Sequence, residues 1–192
     1  MSTVLPPPTP RATIDDLMRV EGKAELIGGR IVRYMAVGHR PNQIAGRIYR
    51  RLCDYAESGR GGNCYTDGMG FRVPELSSGR ESFSPDAAFY EGPPPADAMK
   101  FVAAPPTFAV EVRSEGDYGA QAEEAMAKKR AEYFAAGTKV VWDVDLLSPD
   151  VVRVYRATSP TEPTVYRRGE QAEAEPAVPG WTMPVDDLFI GE

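Results

Sequence analysis

Apolar and polar positions along this chain fall mostly into short alternating runs, with a few stretches that switch to helical spacing. Thr13 to Val20 reads as a short helix: Thr13 can cap it, and Asp15 and Asp16 suit its positive first turn. Two short apolar runs flank Gly28-Gly29 within Ala24 to Met35, a hairpin pattern. His39 and Pro41 open a second helix. Its apolar stripe is Ile44, Ile48, Leu52 and Tyr55, and the glycine-rich stretch 59–62 breaks it. Strand patterns follow at Cys64 to Val73 (interrupted near Gly68 and Gly70), Phe83 to Tyr90 and Thr107 to Arg113. The Gly92-Pro93-Pro94-Pro95 segment between the last two cannot join a ladder. A long helix spans Tyr118 to Ala136 and stops at Gly137. Strands at Lys139 to Val144, Val151 to Tyr155 and Thr164 to Arg168 complete the pattern. A helix crossing between two apolar strands predicts parallel pairing of those strands, with hairpins added at the edges. The fold class expected is therefore α/β: a mixed central sheet flanked by helices, with an N-terminal helix and hairpin.

Two acids interrupt this pattern. In Thr107-Phe-Ala-Val-Glu-Val-Arg113, Phe108, Val110 and Val112 share one face, and Thr107, Ala109, Glu111 and Arg113 share the other. Glu111 thus lies mid-strand in a segment otherwise fit for burial. An isolated buried carboxylate costs several kcal/mol unless a cation or donors meet it. Asp86, between Pro85 and Ala87, is read the same way, as an acid inside a short apolar strand. Either acid alone reads as a strand-end salt bridge. Two on successive strands form an oxygen-donor pair of the kind that suits Mg²⁺ or Mn²⁺. In the long helix, Ala122, Met126, Lys129, Tyr133 and Ala136 follow the spacing of an inward stripe, so Lys129 faces the core while Lys128 and Arg130 turn aside. Lys129 reads either as a lysine whose stem covers the core or as an ammonium directed at Glu111.

Composition places the chain in a broad class without naming a chemistry. The 192 residues, 42% hydrophobic and 26% charged, fit one soluble domain. No run of about eighteen apolar residues occurs, so no membrane span is expected. Residues 1–11 are proline-rich and without an apolar core, which reads as a loose tail rather than a signal peptide, and leaves 12–192 as the domain. Cys53 and Cys64 are read as reduced thiols of a cytoplasmic protein. The net charge of −6 argues mildly against nucleic acid, but a binding face is a local property. Arg40, Arg47, Arg50, Arg51 and Arg60 outnumber Asp54 and Glu57 over 40–60 and could form a basic face.

At this point the sequence resembles a family. The stretches are Ala24-Glu-Leu-Ile-Gly-Gly-Arg-Ile-Val32, Ser84-Pro-Asp-Ala-Ala88, Phe108-Ala-Val-Glu-Val-Arg-Ser114, Lys129-Arg-Ala-Glu-Tyr-Phe-Ala-Ala-Gly137 and Val141-Trp-Asp-Val-Asp145. With the closing Pro179-Gly-Trp-Thr-Met-Pro-Val-Asp-Asp-Leu-Phe189, they resemble a widespread bacterial family labelled "putative restriction endonuclease", within the PD-(D/E)xK nuclease superfamily. The likeness runs from about Thr13 to Phe189. It implies a restriction-endonuclease-like core, and it places the superfamily's aspartate on Asp86 and its strand acid on Glu111. The lysine usual two residues after that acid is replaced by Arg113, and the helix lysine, Lys129, takes its place. Glu25 matches the family's early acid and would complete metal binding. His39, the only histidine, matches a frequent family position, although a lone histidine is more often structural.

The resemblance implies hydrolysis of a DNA phosphodiester with Mg²⁺ or Mn²⁺ held by Asp86 and Glu111. Lys129 would orient the attacking water or stabilise the transition state. Arg40, Arg47, Arg50 and Arg51 are the candidate phosphate contacts. No recognition module is visible, so base readout would need further protein, for which a homodimer is one route. Two other readings stand beside this one: a nuclease-fold binding protein with an altered site, and a hydrolase of a small phosphate ester.

Overall fold

The structure, a computed structural model, describes residues 10–189. Helix α1 (Ile14–Leu17) is shorter than the sequence pattern suggested and is fixed by a capping box between Thr13 and Asp16. Strands β1 (Ala24–Ile27) and β2 (Arg30–Arg33) form the expected hairpin. Its two-residue turn needs positive φ at both positions, which Gly28 (φ 60°) and Gly29 (φ 68°) supply without a Cβ clash. Helix α2 (His39–Tyr55) buries Ile44, Ala45, Ile48 and Leu52, as its stripe predicts. The expected loose tail falls outside the described residues over 1–9. Arg11, its last residue, is anchored to Glu75 at 2.6 Å.

The region read as one interrupted strand becomes β3 (Asn63–Thr66) and β4 (Phe71–Arg72). The region read as one strand from Phe83 to Tyr90 is also two: β5 (Ser82–Phe83) and β6 (Ala87–Tyr90). These two belong to different sheets, since β5 pairs with β4 while β6 lies between β3 and β7 (Phe108–Val112). Pro85, which has no N–H to donate, stands at the break. Asp86 therefore lies at the entrance to β6 rather than inside a strand. Its backbone N–H still bonds to the Val110 carbonyl at 3.0 Å, and its Oδ2 accepts from the Val112 N–H at 2.7 Å. The carboxylate thus stands in for the next ladder partner of β7.

Helix α3 (Ala120–Ala136) then crosses to β8 (Val140–Val144), with Gly137 in the left-handed region (φ 110°) at its end. Strands β9 (Val152–Arg156) and β10 (Ser159–Tyr166) extend the sheet to the order β10-β9-β8-β7-β6-β3. Within this sheet β7 and β8 pair in parallel, across the helix, as the sequence order predicted, and the other neighbours are antiparallel. Strands β11 (Gln171–Glu173) and β12 (Thr182–Pro184) and a closing 3₁₀ turn (Val185–Phe189) form a segment that the sequence pattern did not resolve. The result is the expected mixed α/β sheet flanked by helices.

Alternation along β7 and β8 divides the core into two layers. Phe108, Val110, Val112, Val140, Trp142 and Val144 face α2 and the C-terminal segment. Ala109 and Val141 face the α3 side, where they meet Phe71, Phe83 and Tyr133. The predicted reduced thiols are corrected: Cys53, at the end of α2, and Cys64, in β3, form a disulfide with their Cα atoms 5.6 Å apart. Helix α2 packs against β3 and turns back through the glycine-rich stretch, which brings the two thiols together.

A cross-link over this 11-residue separation should contribute roughly 2–3 kcal/mol through the denatured chain. Urea denaturation of the wild type with and without reductant measures it. Titration of free thiols on the unfolded, unreduced chain should find none.

Candidate functional site

Glu111 sits on β7 on the face toward α3, as alternation requires, with its side chain mostly covered. Lys129 comes down from α3, one turn before the buried Tyr133, and its Nζ lies 2.8 Å from Glu111 Oε1. The Tyr133 hydroxyl donates to the same oxygen at 2.6 Å. Lys129 Nζ is also 3.3 Å from Glu25 Oε1. The ammonium therefore bridges an acid of the hairpin and an acid of the central sheet.

Glu25 is completely buried and every contact it makes is a donor. Arg80 and Tyr34 (2.6 Å) meet its Oε2, and the Ser84 backbone N–H meets Oε1 at 2.9 Å. Arg80 is shared in turn with Glu132 of α3 and lies over the Phe83 ring. Asp86 faces the same region. Besides the Val112 N–H, it holds the ammonium of Lys23 at 2.6 Å, and Lys23 is 2.7 Å from Asp67.

Burial pushes Glu25 toward the neutral form, but Lys129 and Arg80 outweigh it and hold the carboxyl at a pKa of about 2. Glu111 goes the other way. Burial raises it, Lys129 opposes, and the nearby charge of Asp86 adds to the rise. Burial opposes the charged form of Lys129, yet Glu111 and Glu25 together keep it charged far above the ordinary lysine range. The same balance, burial against Asp86 and Glu111, raises Lys23. Burial and the adjacent carboxylates keep Tyr133 a neutral donor.

Glu111, Asp86, Lys129 and Lys23 line one cleft of about 1090 Å³, whose rim includes His39 and Arg40 at the start of α2. The structure thus brings Asp86, Glu111 and Lys129 to a single cavity, with Glu25 behind Lys129. Among the described residues no group of three or more acidic, histidine or cysteine side chains forms a closed metal cage. Asp86 and Glu111, which line the same cleft, offer oxygen donors alone. That matches a hard divalent ion such as Mg²⁺, which is commonly held by one or two carboxylates and keeps several waters.

A family model described as "Uma2: Putative restriction endonuclease" matches residues 14–186. The chain belongs to the Uma2 family. Among solved structures, a putative nuclease belonging to DUF820 from Anabaena variabilis is similar, with a TM-score of 0.70 at 17% identity. The likeness covers 92% of this chain and 97% of that one, and at this identity it concerns the fold. No curated protein matches the chain.

Within the Uma2 fold, Arg113 is engaged by acids other than Glu111. Its guanidinium makes two bonds to Asp143, at 2.7 and 2.8 Å, and reaches Glu123 on its outer side. Arg130, expected to turn aside from the core, instead joins Asp143 at 3.1 Å and stacks over Tyr155. Three of the four arginines considered for phosphate contact brace the C-terminal segment. Arg47 donates to the Leu188 carbonyl, Arg51 pairs with Asp187, and Arg40 lies 5.3 Å from the Phe189 ring. Arg50 is exposed on α2.

Sequence reasoning missed Lys23, Tyr34, Asp67 and Arg80. None stands on a regular apolar stripe, and their partners are 9 to 63 positions away. Tyr133 appeared only as a stripe residue, and its hydroxyl carried no sequence signal.

The depressed Glu25 pKa carries a stability consequence. A carboxylate whose pKa is lower folded than unfolded stabilises the fold above its unfolded value and loses that contribution as pH falls through the folded one. Stability should decline between roughly pH 4.5 and 2, by on the order of 3 kcal/mol from this group. Denaturant titrations of wild type and Glu25→Gln across that range check it, the variant lacking that part of the slope.

Proposed function

We propose that this protein is a metal-dependent nuclease that hydrolyses DNA phosphodiester bonds. The observation that carries the reading is the convergence of Asp86, Glu111 and a charged Lys129 on one cleft. Family membership supports the reaction class, and the similar structure is itself titled a putative nuclease.

Asp86 and Glu111 would hold Mg²⁺ or Mn²⁺. A divalent ion bound there would supply a more acidic water and neutralise charge on the phosphate. Tyr133 fixes the rotamer of Glu111 by donating to Oε1, and the Val112 N–H fixes Asp86 through Oδ2. The carboxylates of Glu111 and Glu25 favour the protonated form of Lys129, which suits an electrostatic role rather than that of a base. Its role is to present positive charge and N–H donors to a phosphate oxygen or the attacking water as charge develops there. Glu25 holds Lys129 from behind and, being saturated with donors, serves as its anchor rather than as a metal ligand. His39 also lines this cleft and is a candidate to meet a flanking phosphate.

Plasmid DNA, single-stranded DNA and a nitrophenyl phosphate, tested side by side with Mg²⁺ and Mn²⁺, separate the alternatives. DNA cleavage should appear with either ion and vanish with chelator. Cleavage of the nitrophenyl ester alone would instead mark a small-ester hydrolase. No turnover of any substrate would favour a binding protein on a nuclease fold. Asp86→Ala and Glu111→Gln should abolish cutting, and Asp86→Ala cutting at the wild-type rate sinks the proposal. Lys129→Met should lower the rate by at least about 100-fold while calorimetry still detects metal binding.

A further inference from the structure

Two lysines reach the cleft, and they are held differently. Lys129 is paired not only with Glu111 but with Glu25, which is fully buried and itself fixed by Arg80 and Tyr34. The ion-pair partners of Lys23 are Asp86, inside the cleft, and Asp67, in the turn after β3. Asp67 is the more exposed of the two, with 32% of its side chain accessible against 10% for Asp86. The Lys23 backbone is fixed, since its carbonyl accepts the Tyr34 N–H at 3.0 Å and closes the base of the hairpin. Its ammonium spans both carboxylates at once, so losing the Asp86 contact would leave the Asp67 contact in place.

Charge counting gives this difference a meaning. Asp86, Glu111, Glu25 and Lys129 together carry two net negative charges, the complement of one divalent ion. With Lys23 seated on Asp86 one of those charges is cancelled, and an ammonium stands 2.6 Å from a proposed ligand oxygen. A cation arriving at that oxygen meets both repulsion and an occupied lone pair. Pairing Lys23 with Asp67 alone frees the lone pair and weakens the repulsion.

We propose that Lys23 is the exchangeable counter-ion of the Asp86–Glu111 site, neutralising Asp86 until a divalent ion enters and then retreating onto Asp67. The inference rests on the metal-dependent reading above and goes beyond it by naming the residue that sets metal affinity. Lys23 keeps the two acids compatible with the folded core at rest, and it competes with the metal.

Isothermal calorimetry with Mn²⁺ on the full chain tests this, comparing wild type, Lys23→Met and Lys23→Arg, with the Mn²⁺-induced rise in melting temperature as a second readout. Lys23→Met should bind Mn²⁺ on the order of tenfold more tightly and show the larger rise, while Lys23→Arg should stay at or below wild-type affinity. Should Lys23→Met fold poorly without metal, Lys23→Gln keeps a neutral polar group in its place and should also bind more tightly. If the wild type binds Mn²⁺ and neither neutral variant binds more tightly, the counter-ion role is overturned and the metal site stands. If neither wild type nor variants bind Mn²⁺, the two-carboxylate metal reading falls, and this inference with it.

Discussion

The ammonium of Lys129, shared between Glu25 and Glu111, is the contact on which the arrangement around the cleft depends. It joins a hairpin strand, a central strand and a helix separated widely in sequence. Each acid is unfavourable alone, because an unpaired buried carboxylate costs several kcal/mol and the cost falls only when a cation is held close. The hairpin does not pair with the six-stranded sheet. It is attached through Leu26, through backbone bonds to residues 79–81, through the Leu26 N–H bond to Ser82 Oγ, and through the chain Lys129–Glu25–Arg80–Glu132. Charge compensation and fold are here one constraint, since removing any member strands the next.

A second pairing problem explains which cation goes where. Glu111 and Asp143 are register partners on the parallel β7–β8 ladder and project to the same face. Like charges at adjacent ladder positions are unfavourable. The chain separates them by giving each its own cations: Lys129 for Glu111, and Arg113 with Arg130 for Asp143. A guanidinium suits the second task, because its planar fork can bond both oxygens of Asp143 at once. Arg113 is thereby committed to structure, and the positive charge beside Glu111 comes from the helix.

The parts of this site that follow a periodic rule were legible in the sequence. Alternation on β7 placed Glu111 away from Val110 and Val112, and the helical stripe placed Lys129 on the turn beside Tyr133. Asp86 was found as a residue but not in its setting. Whether a strand runs through Ser84-Pro85-Asp86 or breaks there depends on which sheet each half joins, a tertiary fact. Helix α3 shows the same limit. Its sheet-facing residues include Lys129, Arg130 and Glu132, so the helix looks polar nearly all round, and only the acids and arginines of other elements reveal that these charges point inward. The cysteines misled for a related reason: compartment arguments weigh composition, whereas the disulfide reflects how α2 and β3 pack. The arginines of α2 read as a basic face because their partners, Leu188, Asp187 and Phe189, lie near the far end of the chain.

The acids that face the cleft differ in how firmly they are oriented. Glu111 is held through one oxygen by two donors, an ammonium that the neighbouring carboxylates keep charged against burial and a phenol that burial and the same carboxylates keep neutral. The carboxylate plane is therefore set by the protein before any ligand arrives, which is the condition for a site that must act with little reorganisation. Asp86 is set through Oδ2 by the β7 backbone, as rigid a donor as the fold contains, while its Oδ1 faces a lysine on a flexible stem. The acids are thus fixed by the fold, while the counter-charge of Lys23 is shared between Asp86 and Asp67. A net charge of −6 spread over the whole chain says nothing of this, because the site is defined by a few charges and the donors that fix them.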